Sequence, residues 1–143
     1  MEITVAGIAR GLDFVGRLCF DLVDLIGYQI GGDVSVAGGG ANNADWSQLR
    51  STVLEVQVAV PTAKEGAIGM AILAAAACDQ ETANEVRLAA SADRMLGEST
   101  WSSPNADDQV WLLEQYLEFT AALRERNWIS PELWAHARKR VSS

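Results

Sequence analysis

Val34-Ser35-Val36-Ala37-Gly38-Gly39-Gly40-Ala41-Asn42-Asn43-Ala44-Asp45-Trp46 is the stretch on which the fold turns. Val34 and Val36 alternate with polar or small partners and predict a short strand. Three glycines then predict a tight turn. Asn42 or Asn43 is the candidate N-cap of a helix over 41–54, with Trp46, Leu49 and Val53 on its buried face. Val56, Val58 and Val60 alternate again and predict a second strand, ended by Pro61. Two strands joined by one helix make a right-handed βαβ unit. Glycine lets the backbone take φ > 0 and lets a ligand approach without a Cβ in the way. The helix that follows directs unpaired N–H groups and a positive dipole end toward the turn. Gly38, Gly39, Gly40, Ala41, Asn42 and Asn43 are therefore the candidate site, for a nucleotide or another anion. A strand–glycine–helix junction is also an ordinary packing solution, so the turn alone does not decide between the two.

Working outward, Ile8, Leu12, Val15, Cys19, Leu22 and Ile26 recur at steps of three and four. They predict a helix over 5–26 with that face buried. Gly27 stands where a helix end favours a left-handed residue, and Gly31-Gly32 open a turn. Residues 64–78 are mostly Ala and Gly, which predicts a helix packed tightly on several sides. Gly66 and Gly69 in it would admit a close backbone or form a ligand wall. A short helix is expected over 83–92, and 93–105 reads as irregular, with Pro104 as punctuation. The pattern over 106–126 predicts a long amphipathic helix with Val110, Leu113, Leu117 and Ala121 on one face. Ser130 caps a last helix that has Pro131 at its first position. Two strands are too few for a stable sheet covered by helices. The expectation is a part of a larger sheet, or a dimer that completes one.

The chain has 143 residues, 49% hydrophobic, and a formal net charge of −8. That is one domain with material for a core. An acidic chain does not seek phosphate backbones, and it lacks the basic segment that would draw it to an anionic membrane. No nucleic acid and no membrane are expected as partners. Cys19 and Cys78, both in apolar helical patterns, read as buried reduced thiols, which fits a cytoplasmic location. Glu2 and Arg10 interrupt any apolar run that would serve as a signal peptide. His136, the single histidine, reads as a surface residue.

The order of motifs resembles the FGGY carbohydrate kinases. Gly38-Gly39-Gly40-Ala41, two polar residues, then Trp46 and Gln48 look like that family's adenosine motif. Val58-Ala59-Val60-Pro61 and Glu65-Gly66-Ala67-Ile68-Gly69-Met70-Ala71 are similar to its following strand and Glu-x-Ala-x-Gly-x-Ala helix. Pro104, Tyr116 and Phe119 fall at places equivalent to its later loop and long terminal helix. The resemblance implies an α/β architecture: part of a ribonuclease-H-like, actin-like ATPase domain, with a short sheet covered by helices and a helical C-terminus. It spans nearly the whole chain but only about the last third of such a kinase, so the chain looks like a C-terminal fragment forming a single domain over 1–143.

The resemblance also implies ATP or ADP as ligand, with Mg²⁺ arriving on the nucleotide. It implies that Gly38, Gly39 and Gly40 pass beneath ribose and phosphates, and that Asn43 or Asn42 bonds the adenine or ribose. The family's sugar-binding domain and its general-base aspartate have no counterpart here. Asp13, Asp21, Asp24 and Asp33 lack that aspartate's glycine-rich context and carry no catalytic role. The expected function is the ATP-binding part of a ketose or polyol kinase, inactive alone. Its partner would be the missing N-terminal part of the enzyme or a self-associated copy. The alternatives are a stand-alone nucleotide-sensing or protein-interaction module, and a small doubly wound domain that binds no nucleotide. No G-x-x-x-x-G-K-[ST] occurs, Asn43 replaces the third glycine of a dinucleotide fingerprint, and no G-x-S-x-G is present. The single His and two distant Cys fit no common zinc spacing.

Overall fold

The computed structural model describes residues 4–29, 32–78 and 85–141. A long helix α1 (Val5–Leu25) leads to strand β1 (Val34–Ser35). A single 3-10 turn (Gly39–Asn42) then enters α2 (Ala44–Leu54), which returns to β2 (Val58–Pro61). Helices α3 (Gly66–Cys78) and α4 (Glu85–Leu96) follow, then β3 (Ser99–Ser102), α5 (Ala106–Glu125) and α6 (Pro131–Val141). The sheet has the order β1-β2-β3. β1 pairs parallel to β2 with Val34 opposite Val58, and β3 pairs antiparallel to β2 with Ser102 opposite Val58.

β3 corrects the reading of 93–105 as irregular. Ser99-Thr100-Trp101-Ser102 has no apolar alternation, so no period-2 signal marks it. Its place is set by polar side chains of α2. Ser51 Oγ donates to the carbonyls of Val56 (2.7 Å) and Ser102 (3.0 Å), and Gln48 Nε2 donates to the Ser103 carbonyl at 2.6 Å. The Asn105 amide donates to Thr52 Oγ1 at 3.1 Å. Ser51 and Thr52 are buried, and each has partners for its hydroxyl, as buried polar groups require.

The larger core lies among α1, α2, α5 and α6, around Phe14, Val53, Leu112, Tyr116 and Ala137. The rings of Phe14, Tyr116 and Phe119 pack at centroid separations of 5.7–6.5 Å, within the range where tilted and offset aromatic pairs attract. A smaller cluster of Val36, Ala41 and Val58 holds the parallel strands to the 3-10 turn.

α1 meets this core with the opposite face from the one its periodicity predicts. Ile8, Leu12, Val15, Cys19, Leu22 and Ile26 are all exposed, while Asp13, Phe14, Arg17 and Asp21 are buried. The reason is a set of ion pairs that only the fold assembles. Asp13 bonds Arg50 Nε (2.9 Å) and Trp46 Nε1 (3.0 Å). Arg17 donates to the Val53 carbonyl and to Glu55, and Asp21 accepts from Tyr116 Oη and Arg140. Buried charges survive only when paired in this way.

Four further expectations are corrected. In α5 the buried residues are Leu112, Tyr116 and Thr120, one position off the expected face, and Val110 is exposed. α3 is not enclosed: it packs on α4, Met70 and Leu73 are exposed, and no atom stands within 4 Å of a Cβ built at Gly66 or Gly69. Cys19 is an exposed thiol; the side chain of Cys78 and the start of the 83–92 helix lie outside the described residues. His136 is half-buried and its Nε2 bonds Asp24 at 2.8 Å.

Candidate functional site

β1 is extended into the glycine turn by the Val36 amide, which donates to the Ala59 carbonyl at 2.9 Å. Gly38 then reverses the chain at φ +86°, a conformation that side-chain-bearing residues rarely take. Its amide donates to the Lys64 carbonyl at 2.7 Å, which ties the turn to the start of α3. The carbonyl of Gly38 accepts from the Ala41 amide at 3.1 Å and closes the 3-10 turn. Asn43 is the α2 N-cap: its Oδ1 accepts from the Trp46 amide at 3.0 Å.

The three glycines have three different surroundings. Gly38 is required by its backbone angle. A Cβ at Gly39 would meet nothing within 4 Å, so this residue borders open space. A Cβ at Gly40 would stand 3.0 Å from Cζ3 of Trp46, so this glycine makes room for the protein's own indole. That indole is fixed from behind. Its Nε1 donates to Asp13 and the Arg50 guanidinium lies 5.1 Å from its ring centroid. Burial holds the Asp13 carboxyl above its ordinary range, against the opposing pull of Arg50 and the Trp46 N–H. The free approach to the turn is thus over Gly38 and Gly39 alone.

A pocket of about 210 Å³ opens beside the turn, lined by Ala41, Asn42, Ala44, Ser47, Val60, Lys64, Thr100 and Ser102. Ser47 is 2% exposed, and its Oγ has no hydrogen-bond partner. A buried hydroxyl left without a partner is uncommon and costs about 1–3 kcal/mol. Lys64 brings the one cationic side chain of this lining, and Asn42, Thr100 and Ser102 bring further polar groups. Asn42 and Asn43 are separated by the structure. Asn42 lines this pocket, whereas Asn43 lines an apolar groove of about 350 Å³ between α1 and α2.

Ser47, Lys64, Thr100 and Ser102 were not legible as site residues. Ser47 falls one helical turn after Asn43 and Lys64 just before α3, but the pocket exists only because β3 closes against β2. Asp13, Asp21 and Asp24 are held in ion pairs of the helical core, away from the pocket lining, and Asp33 is exposed. Among the described residues no group of three or more His, Cys, Asp or Glu side chains could hold a metal ion. No helix among them is long and apolar enough to cross a membrane. No family model matches the chain, and no similar protein was found among the curated proteins or the solved structures.

Proposed function

We propose that the chain is the adenosine-nucleotide-binding part of a carbohydrate kinase of the actin-like ATPase fold, taking ATP or ADP with the Mg²⁺ that nucleotide carries. The observation that carries this reading is the open face over Gly38 and Gly39 beside a pocket that Ser47, Asn42 and Lys64 help to line. Ribose and phosphates would lie across the glycines. The base would enter the pocket, where Asn42 and Ser47 offer both donors and acceptors to a purine edge. Lys64 and the first amides of the 3-10 turn and α2 would favour the negative charge, with about 0.3–1 kcal/mol from the helix dipole for each anionic group.

Phosphoryl transfer rests on positioning and on charge stabilisation around the moving group, with a base or orienting residue for the nucleophile. Among the described residues, the buried Asp13 and Asp21 and the half-buried Asp24 are committed to Arg50, Tyr116, Arg140 and His136. The chain alone is therefore expected to bind without turnover, with Kd on the order of millimolar. The sugar would be chosen by another part of the enzyme.

ADP titration with and without Mg²⁺, followed by tryptophan fluorescence, tests the reading. Trp46 lies directly under Gly40, so binding should change its emission in a saturable way. Ser47→Ala should weaken binding by removing the one buried partner. No response at about 10 mM ADP, where a millimolar site is mostly filled, would overturn the proposal.

A further inference from the structure

The exposed face of α1 carries a regular seam. From Val5 through Ile8, Leu12, Val15, Cys19 and Leu22 to Ile26, apolar side chains follow one another in alternating steps of three and four. Two positions thus recur every seven residues over three successive heptads, the pattern by which helices pair through knobs and holes. The seam runs ~33 Å along the helix at 1.5 Å per residue. All of these side chains are exposed, Val5 by 84% and both Ile8 and Leu12 by 53%.

The opposite face of the same helix is bound into the core by Asp13, Phe14, Arg17 and Asp21. α1 therefore cannot rotate to bury the seam without breaking those ion pairs. The surface also broadens at its N-terminal end, where Val5, Ile8 and Leu12 join Trp46 and Leu49 in the apolar groove between α1 and α2.

We infer that this seam is the dimerisation face and that its occupant is α1 of a second copy. Two features of the seam favour an identical partner. The heptad pattern is self-complementary, since each helix offers the same knobs and the same holes. The positions flanking it are Ala9, Gly11, Gly16, Leu18, Val23 and Leu25, with no charge among them. In paired helices these flanks carry the charges that select or reject partners. Here no charge on these flanks repels a like copy, despite a net charge of −8. The same flanks argue against a lipid surface, because a helix lying on a membrane carries Lys and Arg beside its apolar face. Glycine and alanine at three of the flanks, Ala9, Gly11 and Gly16, let two backbones come close.

Sedimentation velocity on the full chain, over a concentration series, reads the oligomeric state directly. The parent is expected to dimerise. Leu12→Glu combined with Val15→Glu, both exposed in one copy and so harmless to the fold, should weaken association ~100-fold or more by placing charge in two central layers. Met70→Glu, an equally exposed apolar site on α3, should leave association unchanged. Alkylation of Cys19, mapped by mass, should slow as concentration rises through the dimer range and recover in the double variant. A parent that stays monomeric at ~100 µM, or a dimer that survives the double variant, would overturn the inference. So would a Cys19 alkylation rate independent of concentration. None of these readouts depends on nucleotide binding.

Discussion

The two sides of α2 are built differently. On one side α1, α5 and α6 enclose a large core of aromatic rings, crossed by paired charges: Asp13 with Arg50, Arg17 with Glu55, Asp21 with Tyr116 and Arg140. On the other side a thin cluster of Val36, Ala41 and Val58 supports the parallel strands and the glycine turn. The thick side is filled and its buried carboxylates are paired, while Arg17 Nε and Trp134 Nε1 are buried there without a partner. The thin side leaves Ser47 unpartnered and Gly39 open. The contrast is one of filling: the helical side is packed around α2, and the sheet side leaves open space over Gly39 at the mouth of that helix, where nucleotide binding is proposed.

The largest effects should therefore come from the helical side. Tyr116 is fully buried, and burial together with the Asp21 carboxylate holds its phenol far above the ordinary range, so it remains the donor to Asp21. Tyr116→Ala should cost about 3–5 kcal/mol, the range for emptying an aromatic site in a core, and leave Asp21 with Arg140 as its remaining partner. Urea unfolding would check it. A loss below about 1 kcal/mol would erase the contrast between the sides.

Arg17→Met should cost about 3 kcal/mol, because it removes the donor to the buried Val53 carbonyl and the cation beside Glu55 while keeping the volume. Glu55 itself ends α2 in the left-handed region at φ +59°, a strained conformation for a side-chain-bearing residue. Losing Arg17 should loosen that corner, visible as faster amide exchange around Val53–Val56.

The glycines sharpen the contrast within the thin side. Gly40→Val forces the Trp46 ring to move and should destabilise by about 1–3 kcal/mol, the usual cost of overpacking. Gly39→Val points into open space and should change unfolding by no more than about 0.5 kcal/mol. Equal losses at the two sites, measured by thermal or urea unfolding, would remove the distinction between a packing glycine and a ligand-facing one.

The smallest effect concerns pH. The carboxyl of Asp13 titrates higher in the folded chain than in the unfolded one, chiefly through burial. Between those two values the folded state holds a proton that the unfolded state has lost. Asp13 thus contributes most below the ordinary carboxylate range, near pH 3.8, and its contribution falls as pH rises through the elevated folded value. Asp13→Asn should remove that downward component from a plot of stability against pH, comparing urea midpoints at about pH 4 and pH 7.

The same contrast explains what could be read from the chain before its structure. Elements of the thin side announce themselves locally: valines that alternate, an Asn cap, a glycine turn, a proline at the end of a strand. The helical nature of α1 was equally plain from its three-and-four spacing. Its orientation was not, because the partners of Asp13, Arg17 and Asp21 lie 33 to 119 residues further along. Hydrophobic periodicity marks an apolar face, but it does not say that a polar face will win the core. β3 has no local signal at all, since side-chain bonds from α2 place it. The part of the site that β3 completes, with Ser47, Lys64, Thr100 and Ser102, was hidden for that reason. The division of labour among Gly38, Gly39 and Gly40 depends on where Trp46 comes to rest, and no spacing rule carries that.

Amide chemical-shift mapping of the parent and of Gly39→Val during ADP titration tests nucleotide binding at the glycine turn most directly. The expected result is saturable shifts at Gly38–Asn42, Ser47 and Lys64 in the parent, and their loss in a variant whose other resonances are unmoved. Identical shifts in both proteins, or shifts confined to residues away from the turn, would contradict it.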